Sequence, residues 1–483
     1  MGKTCVLVDG YQFKFMRPAG TGIASYVRTL AAMLKSCGCS VSVLYGQRFK
    51  PNDKLSPGAA TSAVFSNEIS ERQRFQDIVE NVSVMLGLAR SSLRAKAHVL
   101  DTSHIDMRAI EPSLPICDHI LNADRLFARA NKAYNLSGRL TEVQSQVGDL
   151  KFAAAHWTAP IPVKMRGVPN IYTLHDLVPL QFPYFVKGYG GRMHELHEKI
   201  AHQSDHIITV SDASKRHIVE ILKVPETHVT VTYQPVKQLP SMDRNDAERL
   251  VENIYGIGPG QYALFLGAME PKKNLKRLIE AFVLAGLEIP LLLAGPLGWL
   301  YDEEIDLINR INRAQQTASV GSAETSVQAL AAVHGATSPI RQLGYLPARH
   351  ILALLKCAKF LVFPSIYEGF GLPVVEAMQL SVPVLTSNNS SLAEIAGNAA
   401  LLVDPFDVIE LTAGLRKINA DSDLRAELAR LGPIRASRFS VDYCQSRLAQ
   451  AYQKIGITLS PPVTRAGSDT RPASALKLSE ALL

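Results

Sequence analysis

The chain has 483 residues, of which 47% are hydrophobic and 20% are charged, and it carries a formal net charge of +7. This length predicts two or three domains, and the composition is that of a globular protein with enough apolar side chains for two cores. No apolar run approaches the ~18 residues of a membrane span. The start, MGKTCVLVDG, lacks the features of a secretory signal, so a soluble, cytoplasmic protein is expected.

The charge and the cysteines argue against two broad classes of function. The basic excess invites an anionic partner, such as a nucleotide phosphate, a phosphorylated lipid or a membrane surface. Because Lys and Arg are dispersed and are not interleaved with aromatic residues, nucleic acid is not expected as a partner. The six cysteines have neither zinc-site nor redox spacing, so reduced, buried thiols are expected.

The first half of the chain alternates short β-branched runs with helical stretches. KTCVLVD and SVSVLYG predict strands, and the apolar periodicity between them predicts a helix from about Gly22 to Lys35. Later strands are predicted at Asn170–Leu174, His206–Val210 and His228–Thr232. This alternation indicates a parallel sheet covered by helices.

The second half of the chain repeats the alternation. Strands are predicted at YALFLG, IPLLLAG, IRQLGYL, KFLVFP and VPVLTS, with helices between them. The stretch Thr317–Thr337 is small and polar and is interpreted as a surface excursion. Two halves built in this way predict an α/β protein with two Rossmann-like, doubly wound domains.

Composition also sets the expected domain boundaries. The polar segment 237–260, with its Pro and Gly residues, is predicted to link an N-terminal domain, 1–236, to a C-terminal domain, 261–438. Residues 439–458 predict a terminal helix that packs back on the N-terminal domain. Residues 459–483, rich in Ser, Pro and Thr, predict a disordered tail.

The most informative stretch is FLVFPSIYEGFGLPVVEAM. It predicts a buried strand at Phe360–Phe363, a glycine-containing loop, and a helix that Pro373 opens and that carries Glu376 in its first turn. A loop and a helix start at the carboxyl end of a parallel strand can hold an anion such as a phosphate, and Glu368 and Glu376 can accept hydrogen bonds from ligand hydroxyls. The alternative is a tight turn in which Glu376 only favours the helix dipole.

At these residues the chain resembles the retaining GT-B glycosyltransferases, specifically the family 4 group that includes bacterial mannosyl- and rhamnosyltransferases. The family signature is a pair of glutamates with seven residues between them in an E-G-F-G-L-P context, and Glu368 and Glu376 have that spacing. The resemblance extends over YALFLGAMEPKKNLKRLIEAF, LGYLPARHILALLKCA and SNNSSLAEIAGNAALLVDP. It implies a GT-B fold whose interdomain cleft lies between an N-terminal acceptor domain and a C-terminal donor domain.

The resemblance assigns donor-binding roles to residues of the second half. In the family, the second glutamate holds the nucleotide ribose and the first lies near hydroxyls of the transferred sugar, so these roles fall to Glu376 and Glu368. Lys273 matches the basic residue that holds the diphosphate. Many members carry an arginine after the preceding strand glycine, where this chain has alanine, and Lys272 is expected to substitute. Further residues expected at the donor are Gly369, Phe370, Gly371, Leu372 and Tyr345.

The first half contributes expected residues to the cleft. NIYTLHDLVPLQFPYF resembles the family's strand ending in His-Asp, which implies that His175 lies near the transferred sugar and that Asp176 orients it or contacts the acceptor. Gly20 and Gly22 precede the first helix, where similar enzymes place a glycine loop against phosphate or acceptor. His156, in AAAHWTAP, is a weaker candidate.

The resemblance implies transfer of a hexose from a nucleoside diphosphate to an acceptor hydroxyl, with retention of configuration and without an obligatory metal. GDP-mannose is the favoured donor, and a saccharide or lipid-linked acceptor would bring the protein to the inner face of the cytoplasmic membrane. The only Asp-x-Asp, at Asp421 to Asp423, precedes a helix and is interpreted as an N-cap. No general base is evident, and the expected catalytic residues are His175, Glu368 and Lys273.

Two other classes of function are alternatives. A nicotinamide-dependent oxidoreductase would need a complete glycine fingerprint with an acidic residue about twenty positions further on, and the sequence lacks it. The second alternative is a non-catalytic nucleotide-sugar-binding partner subunit, against which the intact glutamate pair argues.

Overall fold

The computed structural model describes residues 3–15, 22–47, 93–100, 115–185, 192–298, 302–318 and 340–460. These residues form two large, mainly parallel β-sheets, one in each half of the chain, with α-helices packed against them. The predicted α/β class with two Rossmann-like domains is confirmed, whereas the domain boundaries stay predictions. Gly20, most of Thr317–Thr337 and residues 461–483 lie outside the described residues.

The N-terminal half contains a large sheet and two small ones. Its strands, in chain order, are β1 (Cys5–Asp9), β2 (Ser40–Tyr45), β3 (Arg94–Ala95), β4 (His98–Val99), β5 (His119–Asn122), β6 (Thr141–Val143), β7 (Gln146–Val147), β8 (Leu150–Lys151), β9 (Ala154–Trp157), β10 (Val163–Met165), β11 (Asn170–Thr173), β12 (His206–Thr209) and β13 (Val229–Val231). The large sheet has the order β13-β12-β11-β9-β1-β2-β5-β4, and only β4 and β5 pair antiparallel among its described strands. Strands β10, β6 and β3 form one small sheet, and β7 pairs with β8.

The C-terminal half contains a parallel sheet in the order β16-β15-β14-β17-β18-β19. Its strands are β14 (Ala263–Leu266), β15 (Leu291–Ala294), β16 (Ile340–Gly344), β17 (Phe360–Phe363), β18 (Val384–Ser387) and β19 (Leu401–Val403). The four central strands, β15, β14, β17 and β18, are buried along their whole length. Continuous apolar strands of this kind are expected where helices cover both faces of a parallel sheet.

Helices connect the strands of both sheets. Those described are, in chain order, α1 (Gly22–Ser36), α2 (Leu126–Ser137), α3 (Val178–Gln181), α4 (Met193–Gln203), α5 (Asp212–Leu222), α6 (Arg244–Tyr255), α7 (Leu275–Ala285), α8 (Asp302–Ala318), α9 (Ala348–Cys357), α10 (Leu372–Gln379), α11 (Ser390–Ala396), α12 (Val408–Ala420), α13 (Ser422–Ala436) and α14 (Val441–Gln453). Short 3₁₀ helices lie at Tyr11–Phe15, Pro183–Phe185, Glu226–His228, Pro271–Lys273, Gly397–Ala399 and Ser437–Phe439.

Each large sheet reverses its strand order at one point. In the first sheet the chain proceeds outward from β1 through β2 and β5, then returns to β9 on the other side of β1. In the second sheet it proceeds from β14 through β15 and β16, then returns to β17 on the other side of β14. Ligands of doubly wound proteins bind outside the carboxyl ends of the strands at such switch points. The topology therefore predicts that a ligand binds at the residues that follow β14 and β17.

The segment 237–260 is more ordered than its composition suggested, because it contains helix α6. Asp243 caps this helix by accepting hydrogen bonds from the amides of Asn245 and Asp246, and Gly256 ends it in the left-handed conformation. Helix α6 packs against α9 of the C-terminal half. An acidic N-cap and a glycine after the last turn are ordinary helix boundaries, so the sequence did contain the signal for this helix.

Helix α14 crosses from the second sheet to the first. Its buried face includes Leu448 and Tyr452 and packs on α1 and β13. The Tyr452 hydroxyl shares a 3.0 Å hydrogen bond with Nδ1 of His156, which lies in β9. The end of the described chain is thereby fixed to the N-terminal sheet.

Asp421, the first residue of the Asp-x-Asp sequence, is the N-cap of α13. Its carboxylate accepts a 2.8 Å hydrogen bond from the amide of Leu424. Asp423 lies in the first helical turn, and among the described residues no backbone amide donates a hydrogen bond to its carboxylate. The N-cap interpretation of this sequence is confirmed.

Asp421→Ala is expected to lower the free energy of unfolding by about 1 kcal/mol, because it removes the side-chain cap of α13. Denaturation by guanidinium chloride measures the loss. Asp423→Ala is the matched control and is expected to cost less than half as much. Equal losses in the two variants would contradict the capping role.

Candidate active site

A buried ion pair joins the two connections at the switch point of the second sheet. The 3₁₀ helix Pro271–Lys273 follows β14, and the loop with Glu368 follows β17. The ammonium of Lys273 lies 2.5 Å from Oε1 of Glu368, and that of Lys272 lies 3.9 Å from Oε2. Only 8% of the Glu368 surface is exposed. Two predicted cations and one predicted carboxylate thus meet where the topology predicts a ligand.

The lysines decide the charge state of this carboxylate. Burial acts to raise the pKa of Glu368, but the charges of Lys273 and Lys272 outweigh burial and hold the pKa below its ordinary value. Burial likewise acts to lower the pKa of Lys272, and the carboxylates of Glu368, Glu270 and Asp176 outweigh it and raise that pKa. Glu368 and Lys272 are therefore charged at neutral pH, and the cluster combines a fixed cation with a fixed carboxylate.

The loop that carries Glu368 is held by side chains from neighbouring connections. Four of its carbonyl oxygens each accept a hydrogen bond, at 2.7–3.1 Å. The donor and acceptor residues are Asn274 to Pro364, Ser387 to Ser365, Asn389 to Ile366 and Ser391 to Glu368. Sequence reasoning missed these supporting residues, although the polar run SNNSS after a buried strand was a signal for them.

Helix α10 begins at Leu372, directly after Gly371. Gly371 has a φ of +100°, a region that L side chains rarely adopt, and a Cβ there would lie 2.5 Å from Leu392. No side chain caps the start of the helix. The prediction that Glu376 lies in the first turn was wrong. The helix begins at Leu372, one residue before Pro373, so Glu376 is its fifth residue and lies in the second turn.

Glu376 is in a different electrostatic environment from Glu368. Burial raises the pKa of Glu376 to about 7. Among the residues that the structure describes, its carboxylate has neither an ion-pair nor a hydrogen-bond partner. The Glu376 side chain is partly exposed, so water satisfies some of its hydrogen-bonding capacity, and the remaining desolvation costs folding free energy unless a ligand offsets it. Of the two glutamates in this motif, Glu368 is therefore paired and Glu376 is unpaired.

Three further residues expected at the donor, Leu372, Phe370 and Tyr345, have different environments. Leu372 faces the N-terminal half, since a Cβ on Gly22 would lie 3.3 Å from its Cδ1. The Phe370 side chain instead packs edge-to-face on Phe439, with ring centres 5.3 Å apart, which leaves only its backbone for a ligand. Tyr345 follows β16 and is 49% exposed.

His175 and Asp176 meet the Glu368 loop from the other side of the cleft. A Cβ on Gly369 would lie 2.7 Å from the carbonyl oxygen of His175 and 3.1 Å from Oδ2 of Asp176, so this close approach requires glycine. The Nε2 of His175 donates to the carbonyl of Thr158 at 3.1 Å, which leaves Nδ1 as an acceptor. Burial lowers the pKa of His175 to about 4, so the imidazole is neutral at neutral pH.

His156 has a structural environment. It is fully buried, its Nε2 lies 2.8 Å from the Thr173 hydroxyl, and its Nδ1 lies 3.0 Å from the hydroxyl of Tyr452. Burial lowers its pKa to about 3. With both ring nitrogens occupied, the imidazole connects β9, β11 and α14.

The described residues contain neither a metal-binding cluster nor a helix that could span a membrane. No group of three or more His, Cys, Asp or Glu side chains in this part of the chain is arranged to hold a metal ion. No helix among the described residues is long and apolar enough to cross a membrane. A cavity of about 170 Å³, lined in part by Arg94, Arg129 and Thr141, lies in the N-terminal half, away from the Glu368 cluster.

Comparison with known proteins decides the family. The sequence profile for glycosyl transferases group 1 matches residues 252–433, and that for glycosyltransferase family 4 matches residues 119–237. O-antigen chain mannosyltransferase B of Escherichia coli is 33% identical over 290 residues, which cover 59% of this chain and 70% of that protein. The chain belongs to the group 1, family 4 glycosyltransferases. The profile matches cover both the Glu368 cluster and the strand that precedes His175.

A second relative and the solved structures extend the comparison. The serotype-specific mannosyltransferase WbdA of Escherichia coli is 26% identical over 297 residues, and the match spans only 33% of its length. Sucrose-phosphate synthase of Thermosynechococcus elongatus has a TM-score of 0.58 at 17% identity, with 94% of this chain and 99% of that chain covered. WaaG, a glycosyltransferase involved in lipopolysaccharide biosynthesis, has a TM-score of 0.50 at 15% identity, with 94% and 100% covered. These structures support the GT-B fold.

The unpaired state of Glu376 predicts how stability changes with pH. Its pKa in the fold, about 7, lies above its ordinary value of 4.5, so the unfolded chain ionises first and stability is lost as the pH rises between these values. Glu376→Gln removes this loss. Because the side chain is partly exposed and screened by solvent, the ligand-free variant is expected to exceed the wild type by about 1–2 kcal/mol at pH 8 and to equal it at pH 4.

Glu368→Gln is the matched control with the opposite sign. Because the pKa of Glu368 lies below its ordinary value, its charge contributes stability that is lost as the pH falls. Its removal at pH 8 leaves Lys273 buried without its partner, at an expected cost of about 3–5 kcal/mol. Guanidinium denaturation at pH 4 and pH 8 measures both variants. A Glu376→Gln variant less stable than the wild type at pH 8 would contradict the unpaired state.

Proposed function

We propose that this glycosyltransferase transfers mannose from GDP-mannose to a hydroxyl of a saccharide or lipid-linked acceptor, with retention of anomeric configuration. The choice of mannose is supported by relatives named as mannosyltransferases, one of them an O-antigen chain enzyme. Synthesis of a surface polysaccharide or lipopolysaccharide is the corresponding process. The net charge of +7 is compatible with contact to an anionic membrane, where a lipid-linked acceptor would lie.

One observation carries the donor assignment. The unpaired carboxylate of Glu376 lies in α10, the helix that begins directly after the loop of the Lys273–Glu368 ion pair. Ribose hydroxyls would donate to Glu376 and supply the partners that it lacks in the ligand-free protein. The diphosphate would lie between Lys273 and the uncapped start of α10, where backbone amides and the helix dipole favour an anion. Glu368 would keep its ion pair with Lys273 and accept hydrogen bonds from the transferred sugar through its remaining lone pairs.

The same groups account for the chemistry without a required metal. In the reaction, the bond between the anomeric carbon and the β-phosphate oxygen breaks, and a bond to the acceptor oxygen forms. Negative charge then develops on the leaving diphosphate, and Lys273 with Lys272 would stabilise it from fixed positions. Because the cations are already held by Glu368 and Glu270, little reorganisation is needed.

The N-terminal half would present the acceptor. The backbone carbonyl of His175 lies against Gly369, and we propose that its neutral imidazole contacts the transferred sugar beside Glu368. With Nε2 committed to Thr158, Nδ1 is available to accept a hydrogen bond from a hydroxyl. Asp176 would position that imidazole or contact the acceptor. No group is assigned as the general base that receives the acceptor proton.

The wild-type protein is expected to release GDP from GDP-mannose in the presence of a mannose-containing saccharide, and to release less nucleotide from UDP-glucose or other donors. Glu376→Gln is expected to weaken GDP binding about 10- to 100-fold, since it replaces charged hydrogen bonds by neutral ones. Calorimetric titration with GDP measures binding, and a coupled nucleotide-release assay measures turnover.

Glu410→Gln is the control, because Glu410 is exposed in the first turn of α12 in the same half of the chain. It is expected to retain wild-type binding and turnover. Wild-type GDP affinity in Glu376→Gln would refute the ribose assignment. Tight binding of GDP-mannose without turnover toward any saccharide acceptor would favour a non-catalytic binding subunit.

A further inference from the structure

Helix α5 of the N-terminal half holds the C-terminal half at two points. At its start, the amides of Asp212 and Ala213 donate to the two carboxylate oxygens of Glu394, each at 2.9 Å. Glu394 lies in α11, so a carboxylate of one half caps a helix of the other. This contact fixes the direction in which α5 approaches the second sheet.

The second point lies in the Glu368 loop, at Tyr367. Nδ1 of His217, in α5, and the hydroxyl of Tyr367 share a 2.6 Å hydrogen bond, and their rings lie 5.5 Å apart at 30°. Burial lowers the pKa of His217 and raises that of Tyr367, so both groups are neutral at neutral pH. The Tyr367 ring packs with Val178 and Phe185 in an apolar cluster that spans the two halves. In such surroundings an unpaired hydroxyl is unfavourable, so the bond restricts the loop to this position.

The tyrosine bond acts directly on the neighbouring residue in the chain. Tyr367 precedes Glu368, whose next neighbour, Gly369, lies against the His175 carbonyl. That carbonyl also accepts a 3.0 Å hydrogen bond from the hydroxyl of Ser214, one helical turn before His217 in α5. A single helix therefore holds both the His175 segment and the Glu368 loop, and it sets the separation of the two.

We infer that His217 and Tyr367 form an interdomain tie that positions Glu368 against His175 for sugar transfer. Both are positioning residues, because they act on Glu368 through the bond that they make with each other. The inference rests on the proposed function for its kinetic readout. Small displacements of reacting groups can reduce turnover by two orders of magnitude, so loss of the tie is expected to lower kcat more than donor binding.

A double-mutant cycle tests the tie. Tyr367→Phe removes only the hydroxyl and keeps the ring in its apolar cluster, and His217→Ala removes the partner. Each change is expected to lower kcat about tenfold, with the donor KM changed by less than about threefold, because the donor contacts themselves remain. The double variant is expected to be no slower than the slower single variant, since both remove the same bond. His217→Gln, which can bond a hydroxyl, is expected to recover part of the loss.

The chain offers a matched control in a second tyrosine–histidine pair. The hydroxyl of Tyr255 lies 2.7 Å from Nδ1 of His350. Tyr255 belongs to α6 and His350 to α9, and these two helices pack together away from the Glu368 loop. Tyr255→Phe is expected to leave kcat unchanged. Losses that multiply in the His217 and Tyr367 double variant would overturn the tie. An equal loss of kcat in Tyr255→Phe would overturn it as well.

Amide hydrogen exchange separates this inference from the proposed function, because it needs no turnover. Tyr367→Phe is expected to accelerate exchange severalfold across residues 365–371, and Tyr255→Phe is expected to leave this segment unchanged. Unchanged exchange in Tyr367→Phe would overturn the tie even in an active enzyme. Accelerated exchange in a protein that turns over no sugar nucleotide would support the tie while refuting the proposed function.

Discussion

The ion pair between Lys273 and Glu368 is the interaction on which the candidate site depends. It joins the connections after β14 and β17, which are the two strands on either side of the switch point of the second sheet. Such a pair must be well packed and hydrogen-bonded to offset the desolvation of both charges. The loop around Glu368 meets this requirement, because side chains of adjacent connections bind its carbonyl oxygens. Rigid support of this kind keeps cations in place before a ligand arrives.

The two glutamates of the candidate site differ in their electrostatic partners. Glu368 already has cationic partners, whereas Glu376 has none among the described residues and is partly protonated near neutral pH. A protein that retains a partly buried carboxylate without a partner gives up some stability in its free state, and the loss is recovered when a ligand supplies hydrogen-bond donors. This cost is the observation on which the proposed ribose contact of Glu376 rests.

The sequence predicted those parts of the molecule that local pattern determines. Buried apolar strands, the first helix and the glutamate spacing are local, and each was predicted within a few residues. The misplaced turn of Glu376 arose because Pro373 marks the start of a helix only approximately. Helix α6 was missed because Pro and Gly near it outweighed its caps. The contact of His217 with Tyr367 joins residues 150 positions apart, and no local pattern reports which distant side chains a fold brings together.

A crystal structure of the protein with GDP-mannose tests the central claim most directly. The ribose hydroxyls are expected within about 3 Å of the Glu376 carboxylate, with the diphosphate between Lys273 and the start of α10. A nucleotide bound elsewhere in the cleft, or a Glu376 that stays sealed by protein packing while donor is bound, would contradict the assignment of this motif to the donor.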